Sequence, residues 1–318
     1  MPLKRIVCIV TGLTALSVSA QNPISPQGVY IADPTARVDS DGQLYIYGSL
    51  DESPDYYCSQ RYHVLSSSDL RQWTLHRDAF SWKDRLYAPD LIRRDSTYYL
   101  YFDDPQGNEF VASGSSPTGP FTHATRIDGP QQIDPNIFID DDGQAWLYWG
   151  NPRVYCVKLN EDMVSLAGEV FNLEMTEEGF GAPDMAKREK DKKYKDTYTE
   201  GPWIMKKPQM DATKKNIKKG YYLLYAAGGV PEHLAYSEAP TPTGPWTYKG
   251  TIMPEGGTGS FTNHCGYERF KGHDYFFYHT GKLPGGGGFG RSVAVEEFKF
   301  NPDGTFPTIL STDEGVKP

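Results

Sequence analysis

One unit recurs five times along this chain, and no other feature restricts its fold as much. Each copy sets a polar or acidic residue ahead of a few apolar residues, then a polar turn, then an aromatic strand. The first runs Ala32-Asp33-Pro34-Thr35-Ala36-Arg37-Val38, turns at Asp39-Ser40-Asp41-Gly42 and continues as Leu44-Tyr45-Ile46-Tyr47. The second begins Tyr87-Ala88-Pro89-Asp90-Leu91-Ile92 and leads to Tyr98-Tyr99-Leu100-Tyr101-Phe102. The third begins Ile133-Asp134-Pro135-Asn136-Ile137-Phe138 and leads to Ala145-Trp146-Leu147-Tyr148-Trp149. The fourth begins Thr199-Glu200-Gly201-Pro202-Trp203-Ile204 and resumes at Tyr221-Tyr222-Leu223-Leu224-Tyr225. The fifth begins Asn263-His264-Cys265-Gly266-Tyr267 and leads to Tyr275-Phe276-Phe277-Tyr278-His279. A further strand pair follows each hairpin, as in Tyr62–Ser66 leading to Trp73. Two later segments, Ser116-Pro117-Thr118-Gly119-Pro120-Phe121 and Thr241-Pro242-Thr243-Gly244-Pro245-Trp246, are nearly the same turn and strand. Self-similarity of this kind marks a repeat architecture.

Composition agrees with short strands: 22 Tyr, 15 Phe and 6 Trp supply surface to bury, while 32 Gly and 24 Pro demand frequent turns. The expected fold is all-β, a five-bladed β-propeller of four-stranded blades occupying 21–318 as one domain. A sandwich would explain the strands but not the repeated polar residue. In a propeller the first strand of every blade lines the central channel, so Asp33, Asp90, Asp134, Glu200 and His264 should converge at one end of it. The Lys-rich stretch 184–219, including Lys192, Lys193, Lys195, Lys214 and Lys215, reads as two solvated loops flanking the Glu200 strand.

Lys4 and Arg5, the apolar run Ile6–Val10 and the small residues ending Val18-Ser19-Ala20 read as a signal peptide over 1–20. That apolar run is too short to span a bilayer, so a secreted or periplasmic protein without a membrane span is expected. A net charge of −9 argues against a nucleic-acid partner and favours a neutral oligosaccharide or polysaccharide over an anionic one. Beyond the leader, Cys58, Cys156 and Cys265 form neither an even disulfide set nor a zinc spacing.

Three carboxylates at one channel mouth are the parts of general acid–base chemistry. Glycosidic-bond hydrolysis needs one carboxylic acid to protonate the leaving oxygen and a carboxylate on the opposite face to activate water or attack. A third carboxylate near the acid would raise its pKa by like-charge repulsion. At these residues the chain resembles glycoside hydrolase family 43, through Ala32-Asp33-Pro34, Tyr87-Ala88-Pro89-Asp90, Ile133-Asp134-Pro135-Asn136-Ile137-Phe138, Thr199-Glu200-Gly201-Pro202-Trp203, Asn263-His264 and Arg291-Ser292-Val293. The resemblance implies an inverting β-xylosidase or α-L-arabinofuranosidase with catalytic Asp33 as general base, Glu200 as general acid and Asp134 as modulator of the acid's pKa. It implies substrate contacts from Arg291, from Tyr87 (where the family often has Trp) and from His264. No cofactor is required on this reading. Calcium is a possible exception, held as a hydrated ion near His264. Asp90 reads instead as structural, bonding backbone amides at the channel wall.

Two alternatives remain at this point: a non-catalytic carbohydrate-binding propeller, and a galactan-active hydrolase of the same family. A retaining fructan-cleaving relative would carry Asn-Asp-Pro-Asn-Gly near the N-terminus, where this chain has Ala32-Asp33-Pro34-Thr35. Export makes a direct prediction. Protein recovered from its native host should begin at or near Gln21 on N-terminal sequencing, and an intact leader on a cytoplasmic protein would refute it.

Overall fold

A computed structural model describes residues 21–129, 131–190, 192, 196–208 and 219–316. The leader read over 1–20 and most of the lysines singled out above lie outside these residues. Five antiparallel sheets follow one another along the chain. The first holds β1 (Tyr30–Val38), β2 (Leu44–Asp51), β3 (Arg61–Ser67) and β4 (Thr74–Ser81). The second holds β5 (Asp90–Arg94), β6 (Thr97–Asp103), β7 (Glu109–Gly114) and β8 (Thr122–Arg126). The third holds β9 (Asn136–Ile139), β10 (Ala145–Trp149), β11 (Tyr155–Leu159) and the two-residue β12 (Phe171–Asn172). After short helices α1 (Glu177–Phe180) and α2 (Met185–Lys190), the fourth holds β13 (Tyr198–Lys206), β14 (Tyr221–Ala227), β15 (His233–Ala239) and β16 (Thr247–Met253). The fifth has β17 (Cys265–Phe270), β18 (His273–Thr280) and β19 (Ser292–Phe298). The protein is a five-bladed β-propeller.

The unbroken aromatic runs have a physical reason. A second strand inside a blade is covered on both faces, so its residues alternate between two interfaces instead of between core and water. Tyr45 and Tyr47 pack with Leu91, Leu100 and Phe102 of the second blade. Leu44 and Ile46 pack with Phe277, Val293 and Val295 of the fifth. The same alternation sends Tyr222 and Leu224 toward Phe276 and Tyr278, and Leu223 and Tyr225 toward Tyr148 and Cys156. The echoed turns are also equivalent in space. The Tyr47 hydroxyl of the first blade donates to the Pro117 carbonyl, and the Tyr148 hydroxyl of the third donates to the Pro242 carbonyl.

The fifth blade departs from the expected four strands: it has three. Its outer edge is covered by residues 22–24. Ile24 N–H donates to the Val293 carbonyl at 2.9 Å, and the Asn22 amide both accepts from Val295 N–H and donates to its carbonyl. Asn22 N–H also reaches the Asp313 carbonyl at 3.0 Å, so the segments that flank the first and last blades meet here and close the ring. The reason is topological: an unpaired edge strand exposes its backbone groups, and a chain segment from outside the blade satisfies them. Cys58, Cys156 and Cys265 are all free and buried.

Asp90 is the knot of the inner strands. Its carboxylate accepts from Leu91 and Ile137 N–H, the Thr35 hydroxyl, the Asn136 amide and the Arg37 guanidinium at 2.6 Å. Arg37 continues to the Leu91 and Ile137 carbonyls and lies 4.5 Å over the Trp203 ring, while the Asn136 oxygen accepts from Ile204 N–H. Four blades are thereby joined through one buried ion pair. Arg37→Met leaves that carboxylate buried without its cation and should cost about 3–5 kcal/mol of unfolding free energy. Adding Asp90→Asn should recover part of the loss. Urea denaturation of the two variants measures both, and parental stability in Arg37→Met would show that the hub does not hold the blades.

Candidate active site

Asp33, Asp134 and Glu200 each sit at a break in regular strand geometry. Asp33 occupies a register shift in β1 between Ala32 and Thr35, with φ 49°. Asp134 precedes β9 with φ 66°. Glu200 lies between two register shifts in β13, followed by Gly201 at φ 63°. Such irregularities re-aim a side chain out of the pleat, and positive φ in a non-glycine residue is a cost that surrounding contacts must hold in place. Gly201 is needed for a second reason. A Cβ there would stand 2.9 Å from His264 Nδ1, so a side chain at this point would collide with the fifth blade.

The contacts that hold these three share one origin: the end of the second strand in the preceding blade. Asp33 N–H donates to His279 Nδ1 at 3.2 Å, from the fifth blade. Asp134 N–H donates to Asp103 Oδ1 at 3.2 Å, from the second. The Asn151 amide, just after β10, donates to Glu200 Oε2. Asp134 Oδ2 in turn accepts from Gly201 N–H at 3.0 Å, tying it to the residue after Glu200.

The electrostatics divide the site. Burial alone would raise the pKa of Asp33, but the Arg291 guanidinium, 2.8 Å away, and the hydrogen bond and charge of His279 outweigh it. The carboxyl is held well below the usual range. Arg291 is itself fixed by Asp51, through Nε at 2.9 Å and a second nitrogen at 3.1 Å, and lies 4.4 Å over the Tyr57 ring. On the other side the carboxylates repel one another. Burial first, then repulsion from Glu200, Asp103 and Asp33, push Asp134 well above its ordinary value. Asp103 and Glu109, opposite each other on β6 and β7, are raised by burial and by neighbouring carboxylates. Glu232, close to Glu200, is raised for the same reasons, and its Oε2 accepts from Asn263 N–H.

Of the other residues expected here, Arg291 is at the centre, bonded to Asp33. His264 is half-buried in the same neighbourhood, and desolvation together with the nearby Arg291 charge lowers it to about 4 against the pull of Asp33. It is therefore a neutral imidazole near pH 7. Tyr87 stands at the edge, half-buried, with its N–H on the Asp103 carbonyl and its own carbonyl accepting from the Tyr62 hydroxyl. Asp90 does not join the cluster; its carboxylate is saturated inside the channel wall. Among the described residues no three His, Cys, Asp or Glu side chains are placed to ligate one metal ion directly. Asp51, Asp103, Glu109, Asn151, Glu232 and His279 were not anticipated.

A channel-mouth triad of carboxylates, with Asp33 paired to arginine and Asp134 raised by its acidic neighbours, defines a glycoside hydrolase of the propeller class. The description of glycosyl hydrolases family 43 matches residues 20–306, and the chain belongs to this family of inverting glycosidases. It is 31% identical to a xylosidase/arabinosidase of Humicola insolens, over 88% of this chain and 97% of that one. It is 29% identical to a β-D-galactofuranosidase of Aspergillus niger, covering 96% of this chain and 89% of the other. A solved β-xylosidase/α-arabinofuranosidase from a compost metagenome, in complex with xylotriose and calcium-free, superposes with TM-score 0.75 at 29% identity, covering 92% and 98% of the two chains.

The carboxylate-rich side carries a testable stability signature. Glu109 and Asp103 bind protons more tightly folded than unfolded, so the native state holds more protons above the unfolded carboxylate pKa of about 4. Their contribution is full below that value and is lost as pH rises toward the folded pKa. Glu109→Gln removes one of these groups, and its urea midpoint should fall less than the parent's between pH 5 and pH 8. Parallel pH profiles would show that Glu109 is not proton-loaded.

Proposed function

We propose that this enzyme is an exported hydrolase that releases xylose or arabinose units from plant cell-wall polysaccharides or their oligosaccharides. Asp33 serves as general base, Glu200 as general acid and Asp134 as modulator of the acid. One observation carries the assignment of roles: the site pushes its carboxyls in opposite directions. A base must be ionised before reaction, and Arg291 keeps Asp33 so. An acid must arrive protonated, and beside Glu200 stands Asp134, which burial and neighbouring carboxylates push toward the protonated form. The hydrogen bond from Gly201 to Asp134 locks that pair together. Inversion needs room for a water between base and sugar, so Asp33 and Glu200 carboxyls about 6.5–9.5 Å apart suit the reaction.

The substrate reading is supported by the relatives' own activities as xylosidases and arabinosidases, and the galactofuranosidase of Aspergillus niger keeps a galactosyl substrate as the second reading. A panel of nitrophenyl glycosides of xylose, arabinofuranose and galactofuranose separates them. On the best substrate, proton NMR of early turnover should show the anomer opposite to the substrate. Asp33→Ala should lose rate on every substrate. Glu200→Ala should lose far less on a nitrophenyl glycoside than on a natural one, because nitrophenolate departs without protonation. Asp134→Asn should move the alkaline limb of the rate profile to lower pH. Retained configuration, or equal losses for Glu200→Ala on both substrates, would mean the pair is misassigned.

A further inference from the structure

Glu232 is buried close to Glu200 and takes no part in the chemistry above. It stands just before β15 and is only 2% exposed. Two of its bonds reach the segment that leads into β17. Glu232 N–H donates to the Phe261 carbonyl at 3.1 Å, and its Oε2 accepts from Asn263 N–H at 2.6 Å. Between these two anchor points lies Thr262. The Thr262 carbonyl accepts from His279 Nε2 at 2.9 Å, and the Thr262 hydroxyl stands 3.4 Å from the same nitrogen. The other ring nitrogen, Nδ1, accepts from Asp33 N–H at 3.2 Å.

These contacts form one line through three blades, from the fourth by way of the fifth to the first. Each link is directional. A carbonyl only accepts, so Nε2 must face Thr262, and that leaves Nδ1 on the side of Asp33. A ring held at both nitrogens cannot tilt without losing a bond, and its angle follows the position of the Thr262 carbonyl. Thr262 lies outside the sheets, so no strand ladder fixes it, and Glu232 grips the residue on either side. Asp33 needs the support, since its φ of 49° is a conformation that surrounding contacts must hold in place. Burial, then repulsion from Glu200 and Asp33, push Glu232 toward the protonated form. A neutral carboxyl can clamp a backbone beside reacting carboxylates without adding another charge to them.

We infer that Glu232 is a positioning residue for the general base, setting the orientation of Asp33 through Thr262 and His279. This rests on the hydrolase reading, in which Asp33 is the base, and adds to it a residue from two blades away around the ring.

The test uses the mature enzyme on a nitrophenyl glycoside, whose leaving group needs no acid. Glu232→Ala should lower kcat about tenfold with KM within about twofold, because a misaligned base slows attack and leaves binding alone. Glu232→Gln keeps an acceptor without a charge and should return most of the rate, with both limbs of the pH profile in place. If Glu232→Ala does not fold, Glu232→Asp, one methylene short, should show the same loss. In an Asp33→Ala background the change should cost almost nothing, and in a Glu200→Ala background about tenfold again. A cost that persists in full without Asp33 would overturn the relay. Proton–nitrogen NMR of the imidazoles separates the two readings. The His279 Nε2–H signal, shielded from exchange by the Thr262 carbonyl, should move or broaden in Glu232→Ala and return in Glu232→Gln. A rate indifferent to Asp33→Ala, with that signal still moved by Glu232→Ala, would remove Asp33 as base and keep the contact line. An Asp33-dependent enzyme whose rate or His279 signal ignores Glu232→Ala would do the reverse.

Discussion

The pairing of Asp90 with Arg37 is the contact on which the ring depends. Propeller blades meet through apolar faces that would tolerate small rotations, since hydrophobic contact is non-directional. A carboxylate that must satisfy donors from three blades at once, and a guanidinium that must lie over Trp203 in a fourth, do not tolerate them. Charge-assisted, bidentate bonds fix angle as well as distance. The hub therefore sets the rotation of each inner strand, and with it the direction in which the residues at the strand starts point. Asp33 lies two residues before Thr35, and Asp134 lies two before Asn136; both of these neighbours are bonded to Asp90.

Above the hub, each candidate carboxylate is braced from the blade before it. His279, Asp103 and Asn151 all occur at or just beyond the end of an aromatic second strand, and all reach the next blade's candidate residue. This arrangement makes the site a property of adjacent pairs of blades, so a distortion of one interface is felt at the next carboxylate. It also accounts for the positive φ of Asp33 and Asp134. An amide N–H that is bonded to a neighbouring blade compensates a backbone conformation which an isolated strand would not adopt.

Much of this was legible in the chain. The repeated polar residue ahead of an aromatic strand located five blades, and convergence of first strands brought Asp33, Asp134, Glu200 and His264 together. Asp90 could be separated from them as a structural residue, although its partners could not be named: Arg37 and Asn136 are distant in sequence and look like ordinary strand residues. The bracing residues were missed because attention stayed on strand starts. A signal existed, since polar residues Asp51, Asp103 and His279 close aromatic runs in three of the repeats. The three-stranded fifth blade was illegible for a different reason. Its edge is completed by residues 22–24, whose pairing depends on ring closure and leaves no local pattern.

That closure has a consequence for synthesis. Residue 22 leaves the ribosome ahead of the five blades, and Asp313, whose carbonyl it meets, follows the last of them. The first four sheets can each form from contiguous sequence as it appears, but the ring has no closing seam until nearly the whole chain is available. Until then residues 22–24 have no edge to pair with, and the contact that seals the ring joins segments made before the first blade and after the last.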